Sequence, residues 1–205
     1  MSDPEKQPSL RAKLNEHTRT LIVEAMVEQL GETGVIDFSV FEIARRAGIS
    51  PRTIYRHFPT REDMFDAMSR MVNERVGFPD YATTPQGIAD LARKLFPAFD
   101  ENEALILAQM QTPTGQTVRA HARKERARTM RRAVDSIAPD LSEDERDAFA
   151  AVCHCVMSAD AWRRMRTDFD LDGVRSGEAA GWALETLFAA IEQRNHQRKN
   201  GKDND

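Results

Sequence analysis

The chain has 205 residues, 40% apolar and 30% charged, with 29 Lys and Arg against 33 Asp and Glu for a net charge of −4. Such a length and composition suit one or two ordinary globular domains. No uncharged apolar run approaches the roughly 20 residues that span a bilayer, no hydrophobic signal segment opens the chain, and two cysteines are too few for a disulfide framework. The expectation is a cytoplasmic protein without a membrane partner.

Residues 1–15 are polar, contain Pro4 and Pro8 and show no apolar period, so they are expected to form a disordered arm. From about Glu16 to Thr33, Ile22, Ala25, Met26 and Leu30 recur at helical spacing, and Gly34 is the natural stop. Val35, Ile36 and Phe38 lead on into the stretch Ser39–Phe58, S-V-F-E-I-A-R-R-A-G-I-S-P-R-T-I-Y-R-H-F. Ser39 with Glu42 has capping-box spacing, and Gly48 supplies the sharp exit from the short helix that follows. Ser50 caps a second helix with Pro51 at its first position. Two short helices around a tight, Gly-containing turn make a helix-turn-helix pattern. Ala44, Ile49, Ile54 and Phe58 read as its core.

Charge follows the same stretch. From Arg45 to Arg61 there are five arginines (Arg45, Arg46, Arg52, Arg56, Arg61) and no carboxylate. With Thr53, Tyr55 and His57 they supply the donors that phosphate oxygens and base edges accept. Pro59 ends the second helix, and Thr60 with Asp63 opens another to about Val76. The domain boundaries expected are an arm over 1–15, a helix-turn-helix domain over 16–76 and a linker over 77–87. A regulatory domain over 88–197 and a disordered tail over 198–205 follow.

Beyond the linker every segment reads as helix: about 85–99, 101–111, 116–137, 142–167 and 177–195. Ser142 with Glu145 is a second capping-box pair. The run Arg119–Arg132 holds seven Lys and Arg against one Glu, and a solvated face partly neutralised by the acidic segment Asp140–Asp147 is the favoured reading over a second nucleic-acid patch. Cys153-His154-Cys155 does not converge on one ion, because neighbours on a helix point about 100° apart. With no Gly-rich phosphate loop and no nucleophile elbow, neither an enzyme nor a cofactor nor a metal site is expected.

The segments S-V-F-E-I-A-R-R-A-G-I-S, P-R-T-I-Y-R-H-F and P-T-R-E-D-M-F, after Gly34, resemble the DNA-binding head of the tetracycline-repressor (TetR) family of transcriptional regulators. Past about residue 85 the chain is similar to the family in architecture. The resemblance implies an all-α fold, a three-helix helix-turn-helix head plus a helical ligand-binding and dimerisation domain. It places Pro51–Phe58 in the major groove of double-stranded DNA. Arg52 and Thr53, with Arg56 as a further candidate, would read bases. Tyr55, His57 and Arg61 match residues that hold phosphates, and Ser39 could cap its helix and donate to a phosphate. Two departures from the family stand out: Arg52 in place of a frequent glycine, and Phe41 where a polar residue is usual.

The resemblance also implies a homodimer through the last two helices on a near-palindromic operator. Ala179, Ala180, Gly181, Ala183, Leu184, Leu187, Phe188 and Ile191 give the last helix a small, apolar character suited to that role, although burial within one subunit would also explain it. A small, apolar effector would be lined by Phe96, Phe99, Leu107, Met110, Met130, Met157 and Trp162, residues equally suited to core packing. The function expected is a repressor released from DNA by that ligand. The alternative is a regulator controlled by a protein partner on its C-terminal helices.

Overall fold

The computed structural model describes residues 9–33, 39–77 and 83–202, and these form helices without a strand. In chain order they are α1 Leu10–Thr33, α2 Val40–Arg46, α3 Pro51–His57, α4 Arg61–Arg75, α5 Pro85–Glu101, α6 Glu103–Gln111, α7 Pro113–Ile137, α8 Glu143–Val156, α9 Ala159–Phe169 and α10 Gly173–Lys202. None is long and apolar enough to cross a membrane. The all-α expectation holds. Contacts divide the chain into two units, Met1–Val72 with Leu107–Arg119, and Asn73–Ile106 with Ala120–Asp205.

The first unit is built on α1. Ile22 and Met26 from α1 are fully buried, as are Ile43 from α2, Ile54 from α3, Phe58, and Met64 and Met68 from α4. Removing these side chains from water is the main force holding three short helices that would not persist alone. α4 opens on a reciprocal cap: the Thr60 N–H donates to Asp63 Oδ2 at 3.0 Å and the Asp63 N–H to Thr60 Oγ1 at 3.1 Å. Asp63 thus does the work a Glu usually does at that position.

Several boundaries differ from the sequence expectation. α1 begins at Leu10, where the Ala12 N–H donates to Ser9 Oγ at 3.2 Å, so 10–15 belong to the helix and not to the arm. A single serine cap needs no apolar period, and the polar turn after it concealed the helix. Residues 1–8, the Gly34 stop, Val35, Ile36 and Phe38 lie outside the described residues, as do 78–82 of the linker and 203–205 of the tail. α5 starts at Pro85, where the helix over about 85–99 was expected, so 85–87 belong to it and not to the 77–87 linker; Thr84 caps it, accepting from the Gly87 N–H at 3.1 Å. α10 continues to Lys202, into the expected tail. The expected 142–167 helix is two: α8 stops at Val156, and Ser158 caps α9 by accepting from the Ala161 N–H at 3.1 Å.

The second unit is organised on α10 packed along α5. Gly173 begins α10 where a Cβ would lie 2.5 Å from the Phe96 carbonyl oxygen and 2.7 Å from Pro97 Cα, so only glycine fits. Gly177 and Gly181 follow at one-turn steps on the same side of the helix, with Ala180 and Leu184 buried beside them. Asp100 ties three helices together. Its carboxylate accepts from Trp162 Nε1 at 2.8 Å, Arg166 Nη1 at 2.9 Å and the Gly173 N–H at 2.5 Å. Charge-assisted donors of this kind are the stronger class of hydrogen bond.

This packing changes the reading of the last helix. Ala180, Gly181, Leu184, Phe188 and Ile191 are buried within the subunit, so much of its small and apolar character serves α5 and not a second copy. The surface left exposed is Ala179, Trp182, Ala189 and Ala190. The basic run on α7 is a partly neutralised face, as expected. Arg131 pairs with Asp135 and Asp147, Arg146 joins Asp135, and Arg128 and Arg132 meet Glu125.

Candidate nucleic-acid interface

Local sequence dictates the turn between α2 and α3. Ser39 caps α2, its hydroxyl accepting from the Glu42 N–H at 3.4 Å. The chain leaves α2 through Gly48 at φ +65°, a left-handed conformation that side chains with a Cβ resist. Ser50 then caps α3, accepting from the Thr53 N–H at 3.2 Å, with Pro51 at the first helical position. Ile54 and Phe58 anchor α3 inward, each fully buried.

Glu42 departs from its expected part. Instead of closing a capping box with Ser39, its carboxylate accepts from Arg45 Nε at 2.9 Å and Arg46 Nε at 3.1 Å. Those hydrogen bonds hold its pKa down at about 2. Two of the five arginines in the basic window are therefore ion-paired to a carboxylate that lies just outside it in sequence.

On α3 the anchoring of Ile54 and Phe58 turns Arg52, Tyr55 and Arg56 outward, at positions i, i+3 and i+4 of one helix face. Thr53 is half-buried and its hydroxyl shares a hydrogen bond with Ser50 Oγ at 2.9 Å, adding to the cap of α3. Arg61 is exposed at the first turn of α4. His57 is turned partly inward. Its Nε2 is buried and has no hydrogen-bond partner, and burial, then Arg56 and Arg19, lower its pKa below the usual imidazole value.

Sequence reading missed Arg19. From α1, its Nη1 donates to the His57 carbonyl oxygen at 2.9 Å, and its guanidinium lies 4.1 Å from the centroid of the Phe58 ring. A cation at the last carbonyls of a helix is stabilising, and the ring contact adds to it. Nothing in a local pattern links residues 38 positions apart. Phe41 is 78% exposed on α2 and so does not pack inward.

The residues expected to line a ligand site are divided between the two units. Phe96 and Phe99 stack at 5.8 Å between centroids, and Phe99 meets Trp162 edge-on at 5.6 Å. Met130 is buried and Met157 half-buried in the same unit, while Leu107 and Met110, both half-buried, belong to the other. Cys153 is buried, which pushes its thiol up to about 11, and Cys155 is exposed.

Two capped short helices on a shared core, with a basic and aromatic outer face, define a helix-turn-helix head, and the described residues beyond it are helical. Residues 22–68 match the family described as bacterial regulatory proteins, tetR family. Over 66 residues the chain is 41% identical to a Haemophilus influenzae protein described as an uncharacterised HTH-type transcriptional regulator. That stretch is 32% of this chain and 31% of the relative, so the match spans about a third of the relative's length. In this head, and over these residues, the chain is similar to the TetR family. Two solved structures share the fold. NalD, described as the secondary repressor of the MexAB-OprM multidrug efflux pump in Pseudomonas aeruginosa, aligns at TM-score 0.55 and 19% identity over 85% of this chain and 95% of its own. A transcriptional regulator from Rhodococcus sp. Rha1 aligns at TM-score 0.51 and 18% identity over 85% and 96%.

Proposed function

We propose that the chain is a cytoplasmic, dimeric transcriptional repressor that binds a near-palindromic operator and is released from it by a small apolar ligand. The observation that carries DNA binding is the outward face of α3, where Arg52, Tyr55 and Arg56 stand together on a helix locked at both ends by Ser50 and Arg19. Arg52 reads a guanine through its two-donor edge, and Arg56 and Tyr55 hold the base or the phosphate beside it. Ser39 and Arg61 flank the helix as phosphate contacts. His57, half-buried, ends α3, and its carbonyl oxygen accepts from Arg19 Nη1.

The dimer reading rests on exposed apolar surface in the second unit. Trp182 is 67% exposed on α10, alongside Ala179, Ala189 and Ala190, and α8 exposes Ala148, Ala151 and Val152. α8 and α10 pack on one another, so these residues share a unit. Two copies would present two α3 helices to half-sites roughly 34 Å apart. A ligand shifts such a protein only by binding its two states unequally. Repression and ligand release follow the pattern expected of the family.

The test is selection of bound duplexes from fragments of the source genome, followed by binding measured by fluorescence anisotropy. A near-palindromic site bound by a dimer, and released by at least one compound from a panel of small apolar molecules that also raises the melting temperature, is the expected outcome. Enrichment of no duplex overturns the DNA-binding reading. A bound site that no compound releases overturns the ligand reading alone.

A further inference from the structure

We infer that Phe41 is a base-reading residue, its ring taking the 5-methyl group of a thymine at the edge of the groove that α3 enters. The inference rests on the DNA-binding reading above. Phe41 is 78% exposed, whereas its neighbours Ile43 and Ala44 on α2 are buried in the core of the head. It stands one turn before Arg45, whose side chain is 72% exposed, and so shares the outward side of α2 with a cation. Between them, Glu42 has its charge held by Arg45 and Arg46, so no unpaired carboxylate of this turn meets the phosphates.

The fold decides what this ring meets. In a helix-turn-helix, the second helix lies in the major groove and the first crosses the backbone beside it. α2 is that first helix, with Gly48 and Ser50 setting its turn into α3. A side chain on the outer side of α2 therefore reaches the rim of the groove. A phenyl ring carries no donor for phosphate. The apolar groups on that part of a duplex are the thymine methyl and the deoxyribose carbons, and only the methyl distinguishes one base pair from another. The basic setting of Arg52 and Arg56, exposed on the adjoining α3, favours nucleic acid as the occupant over an apolar peptide.

The experiment uses the full chain and the duplex it selects. Each thymidine is replaced singly by deoxyuridine, which removes the methyl and keeps the pairing, and binding is measured for the wild type, Phe41→Ala and Arg52→Ala. At one thymidine per half-site the wild type should lose about fourfold in affinity, the worth of one buried methyl-sized group. Phe41→Ala should bind the thymidine and deoxyuridine duplexes equally, at the wild-type level for deoxyuridine, with an unchanged melting temperature. A Phe41→Ala variant that keeps the full thymidine preference overturns the inference, and so does one that weakens both duplexes alike, as packing on deoxyribose would. In either case the loss of binding in Arg52→Ala leaves the DNA-binding reading standing. If the wild type selects no duplex, both fall together.

Discussion

Arg19 and His57 show how single side chains govern the end of α3. Arg19 gives that helix its last hydrogen bond, to the His57 carbonyl, and a cation over Phe58. Replacing it with alanine removes both, and about 1–2 kcal/mol of stability should go with them in a chemical denaturation curve. His57 makes the head sensitive to pH. Its folded pKa is lowered, first by burial, so the unfolded chain takes up a proton more readily than the folded one. The stability it contributes is complete above the ordinary imidazole value of 6.5 and is lost as pH falls through and below it. Melting temperature should therefore decline between pH 7.5 and 5.5, and His57→Gln should flatten that decline. An unchanged slope in the variant would assign the pH response to other groups.

At the scale of elements, α5 and α10 are held by close approach and by one half-buried carboxylate, Asp100. Gly173→Ala would place a methyl against the Phe96 and Pro97 backbone, and overpacking of this kind costs about 1–3 kcal/mol. The expected readout is a drop of several degrees in melting temperature, on the order of 2–4 °C per kcal/mol for a chain of this size. The variant should keep the helical content of the wild type. This close contact also shows where sequence reading runs out. The caps at Ser39, Ser50, Thr60 and Ser142, the turn at Gly48 and the inward set Ala44, Ile54 and Phe58 are all local, and they were legible. The side on which α10 is covered was not, because a small, apolar helix looks the same whether α5 or another copy packs on it. The Asp100 clamp on Trp162, Arg166 and Gly173 spans more than 60 positions and leaves no periodic trace. For the candidate site the outward face of α3 was foreseen, whereas the pairing of Glu42 with Arg45 and Arg46 depended on which of two neighbours a carboxylate would choose.

For the whole molecule the account requires two heads acting together. Trp182→Glu places a charge on the exposed face of α10 without disturbing the buried side held by Ala180 and Leu184. It should yield folded monomers in light scattering at micromolar concentration, with operator affinity reduced more than tenfold. A wild-type chain that is already monomeric under those conditions would refute the dimer. The central claim is that α3 reads DNA with its outward arginines, and its most direct test is the affinity of Arg52→Ala for a selected duplex across a salt series. The account predicts a loss of about tenfold or more, roughly 1–3 kcal/mol, with relaxed preference at a single base position in each half-site. Arg52→Ala binding with the affinity and base preference of the wild type would contradict it.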